Sequence, residues 1–244
     1  MSVGNPAAAA PSQSNHPDAF SREDFPMTFR LPRRAWLLGL ALVVTALPSL
    51  AATAPQPFDA RYHLEVSGWP DVDIEHQLSQ EAGHWHSEMR ASLPGASGHE
   101  WGRFRLDDER VSSLHYAAGY SLLGIRRSYS LAQADLAPLP DRQSALVALA
   151  RRVIDDADGQ GRLRYRDHRG REERLDYRVL DRDPVTLPAG RFAAVRVALA
   201  EPDEDDRRME ITFDADRPGL LLGMAYYRDG ERKSRLSLTR LGDD

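Results

Sequence analysis

Alternation of apolar and polar residues is the feature of this sequence that most limits its fold. From Phe58 to Val66 the even positions are apolar and the odd positions are polar. The same period of two recurs from Val72 to Leu78 and from Met209 to Asp214. Successive side chains of an extended strand point to opposite faces, so each segment is predicted to be a strand with one buried face.

The pattern continues along the chain and predicts about ten to twelve antiparallel strands of ordinary length. Two hairpins are the clearest. One turns at Glu81-Ala-Gly83 and places Trp85 inward, with His84 and His86 outward. The other turns at Asp229-Gly230, a dipeptide that supplies the positive-φ residues that tight hairpins need.

One segment has a helical period instead. Asp141 is a suitable N-cap, and apolar residues then recur with helical spacing up to Ile154. The helix is predicted at about 141–157, ending at Asp158-Gly159. A lone amphipathic helix must bury its apolar stripe on the sheet. The predicted fold class is therefore mainly β: a large curved antiparallel sheet, an incomplete barrel, wrapped around one amphipathic helix.

A secretory signal peptide is predicted at residues 27–51. Three arginines precede an apolar run that stops at Pro48, and small residues follow it, so cleavage is expected near Ala51. A basic start, a short apolar centre and a small-x-small exit are typical of such a leader. The alternative is a membrane anchor, but a span needs about 20 apolar residues, and the run is shorter.

Residues 1–26 do not fit a leader, because they are polar and carry several acidic side chains. We interpret them as a non-native upstream extension or a disordered segment, with translation starting at Met27. The remaining residues, 52–244, are predicted to form a single β-rich domain.

Composition bears on where the protein works and on its partners. The chain has no cysteine, which excludes a disulfide framework, thiolate metal ligands and a lipid-modified cysteine after the leader. We therefore expect a periplasmic protein that does not span the membrane once the leader is cleaved. A formal net charge of −5 argues against nucleic acid, and against an anionic membrane, as the main partner.

The C-terminal half resembles a known family. The segments Leu175–Val185 and Leu187–Val197, followed by Pro218-Gly-Leu220 and a closing hairpin, are similar to an exported bacterial family catalogued as domain of unknown function 3108. Asp181-Arg182-Asp183 stands where that family usually has Gly-Arg-Glu. The resemblance implies a fold like that of the periplasmic lipoprotein carriers, an incomplete β-barrel with a helix at its mouth. It implies no activity and no catalytic residues.

No catalytic constellation and no cofactor site are predicted. The sequence contains no Gly-x-Ser-x-Gly, phosphate-binding glycine loop or zinc-protease helix. His84 and His86 share one strand face, but no third metal ligand can be named, so no metal site is predicted. Asp71 and Asp73 lie at a strand start on the outward face, where solvation explains them.

A ligand cavity is the alternative to a site of catalysis, because a curved sheet larger than one helix can cover leaves space inside. The candidate cavity residues are His76, Trp85, Tyr120, Leu122 and Leu123. His76 falls at an inward position, as either a satisfied core residue or part of the cavity wall.

The segment that carries the last three candidates, Gly119–Gly124, is apolar and flanked by glycines. We interpret it as a hairpin connection, with a loop at the cavity mouth as the alternative.

Three functions stay open at this point. The first is a non-catalytic binding module for an apolar or amphiphilic ligand, such as a lipid, or for an envelope protein. The second is an envelope structural or assembly factor that acts through its surface. The third is a hydrolase whose site is not visible in the sequence, since such sites are assembled in space.

Overall fold

A single antiparallel sheet of twelve strands dominates the computed structural model of the protein. The structure describes residues 54–107, 110–156, 159–204 and 206–242. The predicted upstream segment, the leader, its cleavage site and Asp158 lie outside these ranges.

The structure has fourteen strands and two helices in the described ranges. In chain order they are β1 (Phe58–Val66), β2 (Val72–Glu81), β3 (His84–Leu93), β4 (Ala96–Leu106), β5 (Val111–Leu122), β6 (Ile125–Ala132), α1 (Gln133–Leu136), α2 (Arg142–Asp155), β7 (Gln160–Arg166), β8 (Glu172–Asp181), β9 (Val185–Leu187), β10 (Gly190–Phe192), β11 (Ala194–Ala200), β12 (Arg207–Asp214), β13 (Leu221–Arg228) and β14 (Glu231–Gly242).

The strand order confirms the predicted fold class. It runs β6-β5-β4-β3-β2-β1-β14-β13-β12-β11-β8-β7. The first strand, β1, therefore pairs with the last, β14, in the middle of the sheet. Strands β6 and β7 are the two edges, and among the described residues no ladder joins them into a barrel. The edge of β7 is covered at one point, where Arg166 forms a bridge with Asp141 and its N–H donates to the carbonyl of Pro140 at 2.8 Å. All of these strands and both helices belong to one compact unit.

Three details differ from the sequence prediction. The sequence predicts one large sheet, but β9 and β10 pair with each other in a separate two-stranded sheet, and β11 begins after them at Ala194. Strand β5 continues through Gly119 and Tyr120 to Leu122, so only Leu123 and Gly124 form the turn. The one-turn helix α1 has no amphipathic period from which it could be predicted.

Tight turns follow the predicted chemistry. Ala82 and Gly83, and Asp229 and Gly230, all have positive φ, as does Leu123. Because the strands alternate in direction, the turns after β1, β3, β5, β7, β11 and β13 all lie at one end of the sheet. We call it the hairpin end.

Helix α2 lies against the inner face of the sheet and contacts β4, β5, β7 and β11, so it spans the gap between the two edges. The buried carboxylate of Asp141 caps its start by accepting hydrogen bonds from the backbone N–H groups of Gln143 and Ser144, at 2.9 and 3.0 Å. The guanidinium of Arg182 donates to the carbonyls of Val153 and Asp156 at its other end. Both contacts complement the helix dipole.

The core fills the half of the concavity away from the hairpin end. Apolar side chains of α2, including Leu149, Ala150 and Val153, are completely buried there against the sheet. The largest side chains in this layer are aromatic, among them Phe58, Phe104 and Phe213.

Candidate functional site

The other half of the concavity is not filled. A cavity of about 340 Å³ lies between the N-terminal half of α2 and the sheet, and it is partly open to solvent. Most of its wall is apolar: Ile74, Met89, Ala91, Gly98, Ala145, Leu146, Leu163, Leu175, Leu199, Met209, Ile211 and Met224. The wall also includes the polar residues Arg90, His99, Glu100, Tyr120, Arg142, Gln143 and Tyr165.

A gradient in side-chain size along β3 and β4 explains why this space is empty. Towards the filled core, Trp85 of β3 is paired with Phe104 of β4. Towards the hairpin end, the paired inward residues are Ala91 and Gly98. Packed protein interiors leave few voids, so an empty space needs a cause. Here Ala91 and Gly98 are too small to fill the space that Trp85 and Phe104 fill in the core half of the sheet.

A polar cluster stands at the side of the cavity that reaches solvent. Glu100 of β4 forms an ion pair with Arg142 of α2 and accepts hydrogen bonds from the Tyr120 hydroxyl at 2.8 Å and from Gln143 Nε2 at 3.2 Å. Burial raises the pKa of Tyr120, so its hydroxyl stays protonated and donates to the carboxylate. The charges of Glu100 and Arg142 thus compensate each other within the wall.

From this cluster a chain of hydrogen bonds leads into the core. The Ser87 hydroxyl donates to Gln143 Oε1 at 2.9 Å, and the oxygen of the same hydroxyl lies 3.0 Å from His76 Nε2. Because the serine proton is used on Gln143, His76 must donate from Nε2. Its Nδ1 is then an acceptor, and it is buried with no partner in the described structure.

Burial lowers the pKa of His76 to about 4. The imidazole is therefore neutral at pH 7 and sits edge-on to Phe58, with ring centroids 5.0 Å apart. His76 and Ser87 resemble a general base beside a nucleophile, but both are buried and neither lines the cavity. Because the Ser87 hydroxyl is buried, a substrate carbonyl cannot reach it, and its proton is donated to Gln143 and not to His76.

The five predicted cavity residues are found in different places. Tyr120 lies on the cavity wall. His76 and Trp85 are buried in the layers beneath it, while Leu122 and Leu123 are exposed at the tip of the β5–β6 hairpin. That any of these five residues contacts a ligand stays a prediction.

Sequence reasoning missed Glu100, Arg142 and Gln143, which lie on β4 and α2 and meet only in the folded chain. One sequence feature could have indicated the cavity: the inward side chains of β3 become smaller along the strand, from Trp85 to Ala91.

The outward histidines follow the predicted alternation. His84 and His86 lie on the outer face, where Arg103 contacts His84 and Trp101 packs beside His86. Across the described ranges, no group of three or more His, Cys, Asp or Glu side chains is arranged to hold a metal ion. No helix in the described part of the chain is long and apolar enough to cross a membrane.

The chain matches no protein-family model and no curated protein. Among solved structures it is similar to a β-barrel-like protein of domain of unknown function 1849 from Brucella abortus. The identity is 11% and the TM-score 0.50, over 78% of this chain and 100% of that one. This likeness supports the curved β-barrel-like fold and assigns no residue roles.

Two further structures align less closely. The MucA/MucB complex of Pseudomonas aeruginosa gives a TM-score of 0.39 at 18% identity, over 79% of this chain and 54% of that one. A protein with a YmcC-like fold from Bacteroides fragilis gives a TM-score of 0.31 at 11% identity, over 79% of this chain and 100% of that one.

Proposed function

We propose that this protein is a binding module that holds the hydrocarbon part of an amphiphilic molecule in its cavity. The observation that carries the proposal is the apolar cavity of about 340 Å³ that α2 leaves unfilled and that is open on one side. Sites for small molecules usually measure about 300–1,000 Å³ and combine an apolar wall with a few polar groups. This volume suits one hydrocarbon chain segment or a small apolar group.

The polar cluster favours an amphiphile over a purely apolar ligand. Glu100, Arg142 and Tyr120 stand on the wall where it reaches solvent, and the side chain of Arg142 is partly exposed. A ligand with its chain inside would therefore have its polar end beside a guanidinium and a phenol, which are donors for a carboxylate, phosphate or carbonyl oxygen.

Filling the cavity tests the proposal. Ala91→Phe places a ring in the space facing Gly98, whereas Ala117→Phe places the same ring on the outer face of β5. Titration with a dansyl-labelled fatty acid should show saturable binding to the wild type and to Ala117→Phe. Affinity should fall by at least about tenfold in Ala91→Phe, through lost burial of two or more methylenes. Equal binding by all three proteins would refute the cavity as the site.

We also propose that the chain belongs to the exported family called domain of unknown function 3108 and works in the periplasm. The support is the predicted leader at 27–51 and the resemblance of Leu175–Val185 and Leu187–Val197. N-terminal sequencing of protein from the periplasmic fraction should begin near Ala52. Recovery of a chain that still contains residues 27–51 would contradict this placement.

A second candidate function is an envelope assembly factor that binds another protein. One observation favours it: the edge of β6, and the part of the β7 edge beyond the bridge at Arg166, are unpaired within the described residues, and unpaired strand edges are sites of strand addition. Ala91→Phe separates the two functions, because it closes the cavity and leaves both edges unchanged. Retention of cellular function by that variant would favour the assembly factor.

A further inference from the structure

The tip of the β5–β6 hairpin exposes aliphatic side chains that the fold does not use. Leu122, Leu123 and Ile125 are 49%, 82% and 68% exposed. Leu123 occupies a positive-φ turn position, which a branched aliphatic residue adopts at a cost in backbone strain. Soluble surfaces tolerate single exposed apolar residues, but a cluster on a projecting turn indicates a contact surface.

Basic side chains lie on and beside this hairpin. Arg126 and Arg127 directly follow Ile125 on β6, and both are exposed. Arg169, on the turn between β7 and β8, lies over the ring of Tyr129 with its guanidinium carbon 6.0 Å from the ring centroid. Within the described ranges, none of these three arginines forms an ion pair, whereas many other arginines of the chain do.

Tyrosines stand at the base of the same hairpin. Tyr120 and Tyr129 lie 6.4 Å apart by ring centroids, and the His168 ring packs edge-on against both. The order from tip to base is therefore aliphatic, then cationic and aromatic. The same order is found where proteins enter the interface of a bilayer: apolar side chains at the acyl boundary, and arginine and tyrosine among the headgroups.

We propose that the β5–β6 hairpin docks the protein on the surface of an anionic lipid bilayer. A protein partner is less suited to this tip, since a stable interface needs about 800 Å² on each side, and a two-residue turn is narrow. The net charge of −5 argues against an anionic membrane on composition alone, but the proposed contact is local: screening limits each charge to about 10 Å, and the β5–β6 hairpin carries Arg126 and Arg127 without ion-pair partners among the described residues.

Docking in this orientation has a consequence for the cavity. Tyr120 belongs both to this hairpin and to the cavity wall, so the open side of the cavity would face the bilayer surface. The hairpin contact is independent of the cavity ligand, and each can fail without the other.

The absence of cysteine allows a direct test with the domain from residue 52, which contains every described strand and helix. Leu123→Cys and Gln80→Cys each provide a single site for an environment-sensitive NBD label, at the hairpin tip and near the opposite end of the sheet. With vesicles of phosphatidylcholine and phosphatidylglycerol, the label at position 123 should brighten and shift to shorter wavelength. The label at position 80 should not change.

Substitutions then separate what the arginines and the aliphatic side chains of the hairpin each contribute to vesicle binding. Arg126→Gln/Arg127→Gln should reduce vesicle binding by at least about tenfold at low salt. Leu122→Ser/Ile125→Ser should abolish the spectral shift of the label at position 123. Trp69→Ser removes an exposed aromatic side chain from another hairpin, next to Asp71, and should leave binding unchanged.

Equal response of both labels, equal binding to vesicles of phosphatidylcholine alone, or loss of binding in Trp69→Ser would overturn the assignment. Tip-dependent binding to a protein, without vesicle binding, would also overturn it.

Discussion

The backbone of Gly102 on β4 lies directly under Gln143 on α2: a Cβ at Gly102 would be 3.0 Å from the Gln143 Cβ and 3.1 Å from Asp141 Oδ1. This close approach brings the start of the helix down onto the sheet. It also places Gln143 where its amide can join Glu100 to Ser87. One missing side chain on the strand therefore determines the position of the helix and of the polar cluster beside the cavity.

Gly102→Ala should lower the free energy of unfolding by about 1–3 kcal/mol, because the added methyl must displace the capped helix start. Gly98→Ala is a matched control on the same strand face. There the new Cβ would meet the Tyr120 ring at 3.5 Å, an ordinary contact, and the change should stay within about 1 kcal/mol. Urea denaturation of both variants provides the comparison, and similar losses in the two would show that the helix does not depend on Gly102.

Removing the cap of α2 should also destabilise the domain. Asp141 accepts two backbone hydrogen bonds and a third from the Ser144 hydroxyl at 2.6 Å. Asp141→Ala should cost about 2 kcal/mol, at the upper end for an N-cap because the side chain is buried. Asp141→Asn keeps an acceptor oxygen and should cost less. Equal effects of the two substitutions on the urea midpoint would argue against a capping role.

Acid should destabilise the protein through His76. Its pKa is lowered by burial to about 4 in the folded chain, against about 6.5 when exposed. The unfolded chain therefore binds a proton first: the contribution is complete above pH 6.5 and is lost as the pH falls to about 4. The loss amounts to about 3 kcal/mol.

His76→Gln should remove this decline, as measured by urea unfolding between pH 4 and 7. His63 is the control of opposite sign, because its hydrogen bond to Asp73 raises its pKa, so its contribution is present at low pH and disappears as the pH rises. An unchanged slope in His76→Gln would contradict a neutral buried His76.

The ion pair on the cavity wall should control which amphiphile binds. Glu100→Gln leaves the Arg142 guanidinium without its carboxylate partner, so an anionic amphiphile should bind about tenfold more tightly, while a neutral one should bind as before. Glu231→Gln, which breaks an ion pair with Lys233 on the β13–β14 hairpin and away from the cavity wall, is the control. Calorimetric titration with a fatty acid and with its methyl ester would measure both, and parallel changes for the two ligands would contradict the prediction.

The positions of most strands follow from local sequence. The alternation from Phe58 to Val66 determines which side chains face the core, since a strand has only two faces. Asp141, Ala82-Gly83 and Asp229-Gly230 mark a helix start and two turns by their own backbone chemistry. Elements too short to show a period were not predictable, namely α1 and the small β9–β10 sheet.

The sequence by itself determined that this domain is a sheet of alternating strands around one helix, because periodicity and turn chemistry act over a few neighbouring residues. Only the tertiary structure located the cavity beside Ala91 and Gly98. It alone joined Glu100, Gln143, Ser87 and His76 in one hydrogen-bonded chain. These features depend on the sizes and distances of side chains that are far apart in the chain, and no local pattern records them.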